Sequence, residues 1–173
     1  MQNAQSVSES PPIEVAPPPP RDHSSTELRY LLLAAQREGA RQMAAELRPL
    51  NLTPAQAEIL LVLSQRAPLT LAEVGRLIVC ENHSPSRIVD ALVKRGLVYR
   101  EPGQIDRRVI YLQLSPQGEE LLPELRKIDA SVDAIVGDRL SEQEKRVMIE
   151  SLRKIITGTP SATAMAQRFP RQG

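Results

Sequence analysis

Ser84, Ser86, Arg87 and Lys94 fall within one short stretch, and Asp106, Arg107 and Arg108 follow a turn further on. These side chains suit noncovalent chemistry: hydroxyl, ammonium and guanidinium donors meet phosphate oxygens and the acceptors on base edges, and arginine does so as a two-pronged fork. At the start of a helix, Ser84, Ser86 and Arg87 would stand beside free backbone amides, which take a phosphate readily. At the end of a hairpin, Arg107 and Arg108 would reach a narrow minor groove, where negative potential is enhanced. An ordinary charged hairpin tip is the plainer alternative. Asp90 is wrong for a phosphate contact, and its spacing predicts a pairing with Lys94, four residues on, or Arg87, three residues back, along the helix.

Covalent chemistry has little to work with. Cys80 is the single cysteine and stands after Leu77, Ile78 and Val79, so a small buried apolar side chain is the first reading and a redox-sensing thiol the second. One cysteine excludes an intrachain disulfide and points to a reducing compartment. His83 has no partner set and His23 lies near a proline-rich segment, so no metal site of normal ligand number is expected. Glycine spacing offers no phosphate loop, and Cys80 with His83 is too close in sequence to act as a held dyad. Neither an enzyme nor a cofactor is expected.

The elements that would position the basic residues follow from periodicity. Residues 1–22 hold Pro11, Pro12 and Pro17–Pro20 and predict a disordered arm. Residues 23–157 predict one domain, and residues 158–173, opened by Gly158 and Pro160, a second disordered tail. A helix over 25–47 carries Leu28, Leu31, Leu32, Ala35, Met43 and Leu47. Thr53-Pro54 with Gln56 starts the next, facing Ile59, Leu60 and Leu63 inward. Thr70 with Glu73 starts a helix of about nine residues that buries Leu71, Val74, Leu77 and Ile78. A helix burying Ile88, Val89 and Leu92 follows, starting either near Asn82 or at Ser84, and ends at Gly96. Val98–Arg100 and Val109–Leu114 predict strands joined at Pro102-Gly103. Ser115-Pro116 opens a long helix kinked or restarted at Pro123, and Ser141 with Glu144 caps a last one. The fold class is mainly α with a small β-hairpin wing: a winged helix-turn-helix between N- and C-terminal dimerisation helices.

Lys plus Arg is 22 against 21 Asp plus Glu, so no whole-chain excess announces a polyanion. Locally, Arg76, Arg87, Lys94, Arg95, Arg100, Arg107 and Arg108 face four acids, which suits a molecule that meets nucleic acid along one edge. No apolar run approaches a membrane span and no secretory signal is visible, so a cytoplasmic location is expected.

The residues Leu71-Ala-Glu-Val and Arg87-Ile-Val-Asp-Ala-Leu-Val-Lys-Arg-Gly-Leu-Val resemble the MarR (multiple antibiotic resistance regulator) family of bacterial transcription factors. So do Asp106-x-Arg108 with Leu112-x-Leu114-Ser115, and Leu140-Ser-Glu-Gln-Glu. The resemblance covers roughly residues 25–157. It implies a homodimeric regulator, a repressor in the usual case, on double-stranded inverted-repeat DNA. Asp106 would brace the wing, Arg108 would enter the minor groove, and the helix after Ser84 would read the major groove. It further implies a small effector, often phenolic, between the dimer and DNA-binding lobes. For stacking on an aromatic effector the chain offers Tyr30, Tyr99 and Tyr111. The family's usual Ser-Pro-Ser falls on 81–83 when aligned from Arg87, three residues before this chain's Ser84-Pro85-Ser86. The alternative reading is a winged-helix module that meets another protein rather than DNA.

Overall fold

A computed structural model describes residues 23–79 and 84–170. The proline-rich arm, Cys80, Asn82 and His83 lie outside the described residues, and with them the redox and metal readings.

Helix α1 (Ser24–Leu47) runs into a 3-10 turn (Arg48–Leu50). Helix α2 (Pro54–Arg66) starts at the Thr53/Gln56 capping box, with both reciprocal bonds formed. A two-residue strand β1 (Leu69–Thr70) leads into α3 (Leu71–Leu77), which Thr70 and Glu73 cap in the same way. The Thr70 amide and hydroxyl both donate to the Glu73 carboxylate, and those bonds hold its pKa below the usual carboxylate value. Helix α4 (Pro85–Lys94), the hairpin of β2 (Val98–Pro102) and β3 (Ile110–Leu114), α5 (Pro116–Gly137), α6 (Glu142–Ile155) and α7 (Pro160–Arg168) complete the order. The antiparallel sheet runs β1-β3-β2, with Leu69 opposite Leu112 and Val98 opposite Leu114.

One core serves the whole domain. Leu47, Ile59, Leu60, Val74, Val89, Leu92, Leu112 and Leu125 are essentially sealed from water, drawn from five helices and the hairpin. Each such side chain stabilises by about 1.5–3 kcal/mol on burial, which holds the short α3 and α4 that would be marginal in isolation.

Four expectations change. Leu71 is not buried: it is the first residue of α3, and its side chain leans back past the helix start, away from the body covering Val74. α5 does not restart at Pro123: it runs through as one helix, with that residue on the exposed side, where the carbonyl it leaves unbonded can turn to water. The sheet has a third strand, too short to show alternation. Residues 160–168 are not a disordered tail: Thr159 caps α7 through the Ala162 amide, and α7 packs on α3 with Ala164 buried.

The end of α4 is tied to the start of α5. Gly96 has φ +71°, the left-handed conformation that glycine adopts without strain. Its N–H donates to Val93, and the Leu97 N–H donates back to Leu92, which closes the last turn with Leu92 and Leu97 both buried. The Ser115 hydroxyl donates to the Gly96 carbonyl and accepts from the Gly118 amide, while the Ser115 amide donates to the Leu97 carbonyl. A Cβ on Gly118 would sit 2.1 Å from that same Leu97 oxygen. Gly118→Ala should therefore push α5 away from the end of α4 and cost about 1–3 kcal/mol or more, outweighing alanine's helix preference of about 1 kcal/mol. A lower urea midpoint at unchanged slope is the expected result; an unchanged midpoint would remove this close contact from the account.

Candidate nucleic-acid interface

α4 and the wing present the basic residues, and internal bonding sorts which of them are available. Arg95 is half-buried: its guanidinium donates to the carbonyls of Asn51 at 2.6 Å and Leu50 at 3.1 Å, closing the turn after α1. Arg100 on β2 pairs with Asp90 on α4 at 2.5 Å. Asp90 thus does not pair with Arg87 or Lys94, as the helical spacing suggested. The hairpin lies against α4 and brings Arg100 within reach across two elements, a cross-link that fixes the wing's direction relative to the helix. Both partners are partly exposed, so it contributes little to stability, about 0–1 kcal/mol.

Arg76 lies apart on α3; on α4 and the wing Arg87, Lys94, Arg107 and Arg108 remain. All four are exposed, and none is within ion-pair distance of a described acid. Ser84 stands at the N-cap of α4 and Pro85 at its first turn, so among the described residues the helix starts at the later of the two expected places. The Ser84 and Ser86 hydroxyls are 2.8 Å apart and Ser84 makes no side-chain cap bond. The buried side of α4 carries Ile88, Val89 and Leu92, which leaves Arg87, Asp90 and Lys94 toward solvent.

The wing tip is built around Asp106. Its carboxylate accepts the Arg108 backbone N–H at 2.9 Å and its carbonyl accepts the Val109 N–H at 3.1 Å. The Gly103 N–H closes the loop onto the Val109 carbonyl at 2.8 Å. These bonds satisfy the Gly103, Arg108 and Val109 amides locally, and Arg107 and Arg108 are exposed. Ile105, passed over in the sequence, is fully exposed beside them in the loop. An aliphatic residue flanked by Gln104 and Asp106 gives no periodic signal.

A cavity of about 170 Å³ lies where α1, α2 and α5 meet, with apolar walls from Met43, Leu47, Leu125 and Ile128. Tyr30, Tyr99 and Tyr111 do not line it, so the aromatic stacking expected of them is not available there. Its polar groups are Glu58, Asp129 and Arg168. Glu58 was missed in the sequence, although an acid beside the apolar run Ile59-Leu60-Leu61 was a signal for an internal partner. It is 9 % exposed, it accepts the Val79 N–H at 3.0 Å, and it is ion-paired with Arg168.

Among the described residues, no helix is long and apolar enough to cross a membrane. The sequence model of the MarR family matches residues 52–110, from the start of α2 to the start of β3. The chain is 29 % identical over 140 residues to an uncharacterized HTH-type transcriptional regulator of Bacillus cereus, covering 78 % of this chain and 91 % of that one. It is similar to the transcriptional repressor CouR, solved bound to a 23-mer DNA duplex, with TM-score 0.66 and 26 % identity over 78 % of this chain and 95 % of that one. A mutant MarR from E. coli complexed with operator DNA has the same fold, with TM-score 0.68 at 21 % identity over 78 % of this chain and 96 % of that chain. With its helix pair, wing and flanking helices in that arrangement, the chain is similar to the MarR family of transcriptional regulators.

Proposed function

We propose that the chain is a homodimeric repressor that binds inverted-repeat operator DNA, with α4 in the major groove and the wing in the minor groove of each half-site. The observation that carries this reading is the division of labour among the cations. Arg95 and Arg100 are spent on internal carbonyls and on Asp90, whereas Arg87, Lys94, Arg107 and Arg108 face solvent on the two elements that a winged helix lays on DNA. Ser84, Ser86 and Arg87 would contact bases or phosphates from the start of α4, Lys94 a phosphate, and Asp106 would hold Arg108 in place. Repression is supported by CouR, described as a transcriptional repressor. The cavity between α1, α2 and α5 is where a small effector would act on the relative position of the lobes.

The test is selection from a pool of randomised duplexes by the purified full chain. Enrichment of an inverted repeat with half-sites about 10 base pairs apart is expected. Retention without any enriched sequence would overturn the reading in favour of a winged helix that contacts protein.

A further inference from the structure

We propose that Ile105 at the wing tip is a minor-groove contact in its own right, an aliphatic side chain that packs on the deoxyribose walls and selects a narrow, A·T-rich groove without using charge. This rests on the regulator reading above and names a specificity determinant of that same interface.

Exposure singles Ile105 out. It is fully exposed, whereas the other exposed large apolar side chains among the described residues reach at most 60 %. Most of those lie on α1 and α6, where a second copy of the chain would cover them. Ile105 stands instead in the loop between β2 and β3, outside both strands.

A single exposed aliphatic residue is ordinary on a loose surface loop. This loop is fastened. The Gly103 N–H donates to the Val109 carbonyl at 2.8 Å, the Val109 N–H to the Asp106 carbonyl at 3.1 Å, and the Arg108 N–H to the Asp106 carboxylate at 2.9 Å. A Cβ at Gly103 would meet the Asp106 carbonyl oxygen at 2.7 Å, so the loop is folded closely on itself. The Arg100–Asp90 pair ties the hairpin to α4. Ile105 is thus presented on a backbone with little freedom left to lose on binding.

The rest of the tip indicates the surface it meets. Arg107 and Arg108 stand within three residues of Ile105, both exposed and without a described acid in ion-pair distance. Asp106, the one acid of the loop, spends its carboxylate on the Arg108 amide. Two free cations beside one aliphatic side chain suit a groove with phosphates along its rims and apolar sugar edges within. A protein surface closing over the tip would instead have to pair or desolvate both guanidiniums. The minor groove is about 6 Å wide and narrower still in A-tracts, and isoleucine is among the apolar side chains that enter it. The N2 amine of guanine stands in that groove, so Ile105 disfavours G·C where it lies.

Anisotropy titration of the full chain tests the contact, on the operator enriched by the selection above and on a copy with 2,6-diaminopurine for adenine in the flanks. That base adds an amine to the minor groove and leaves the major-groove edge as it was. Ile105→Ser should weaken operator binding about tenfold per subunit, the worth of one covered aliphatic side chain. The slope of log affinity against log salt should not change, since no phosphate contact is lost. Ile105→Leu should stay near the parent. On the diaminopurine duplex most of the Ile105→Ser penalty should vanish, because the parent can no longer seat the side chain. Parental affinity of Ile105→Ser, a flatter salt slope in that variant, or an equal penalty on both duplexes would overturn the proposal. An enriched operator without A·T pairs in its flanks would overturn it alone, whereas a parent that enriches no sequence would sink the regulator reading and this contact with it.

Discussion

Glutamates at Met148 and Leu152 together should turn the proposed dimer into a monomer and remove most of its affinity for an operator. Within one chain α6 buries no residue, and Val147, Met148, Ile149, Leu152 and Ile155 are 37–56 % exposed. α1 repeats the pattern, with Leu28, Tyr30, Leu31 and Leu33 all more than half exposed. Two amphipathic helices at opposite ends of the chain, both with uncovered apolar faces, suit a self-complementary interface, because a two-fold axis uses each face twice. Each large side chain covered there would add about 1.5–3 kcal/mol. Met148 and Leu152 lie one helical turn apart, so paired glutamates would place like charges against the partner's own copies, desolvated and unpaired. Being exposed in the single chain, the two changes should leave helicity and monomer stability nearly unaltered. The loss on DNA follows from linkage: separate half-sites forfeit the effective concentration that one dimer supplies, about 10²- to 10⁴-fold in affinity. Sedimentation velocity and operator titration on the same preparation check both parts. A doubly substituted protein that still sediments as a dimer with parental affinity would place the interface elsewhere.

What was legible in the sequence was local. Thr53 with Gln56, Thr70 with Glu73 and Ser141 with Glu144 each form both bonds of a capping box, because a hydroxyl and a longer carboxyl or amide three residues apart find each other wherever the helix begins. The bond from the Arg108 amide to Asp106 is equally local, a side chain satisfying an amide two residues on, but the family resemblance and not spacing points to Asp106 there. Partners set by tertiary packing were not legible. Asp90 has two cations at helical spacing, yet Arg100 takes it because the β2–β3 register and the seat of α4 decide the distance. Arg95 reads as one more positive charge in a basic stretch until the turn at Leu50 and Asn51 is placed beside it. α7 shows why an ending is hard to see. Ser161-Ala-Thr-Ala carries no apolar stripe, and its helix is held by one buried alanine and by partners far back in the chain, Arg66 and Glu58. Glycine and proline before it look the same whether a tail or a helix follows.

Arg108→Ala should weaken operator and random DNA alike and flatten the dependence of affinity on salt, whereas Arg87→Ala should narrow the gap between them. The two arginines are both exposed and free of described acids, so charge alone does not separate them. Their supports do. Arg108 stands on a hairpin tip whose backbone Asp106 holds, where on the proposed reading a guanidinium would meet phosphates and the minor groove. Each neutralised phosphate contributes about 0.9 to the slope of log affinity against log salt, so loss of one contact per subunit should reduce that slope by roughly one unit per subunit. Asp106→Ala should shift it in the same direction by less, because the arginine survives while its backbone is freed. Arg107→Ala should fall between the two. Arg87 stands in the first turn of α4, on the side away from Ile88, Val89 and Leu92, where on the proposed reading its side chain would reach base edges. A bidentate base contact there is worth about 1–3 kcal/mol of discrimination, which random DNA would not lose. Titration of each variant on both DNAs at several salt concentrations separates the roles. An Arg108→Ala protein with parental slope and affinity would remove the wing from the DNA and leave it a surface for protein contact.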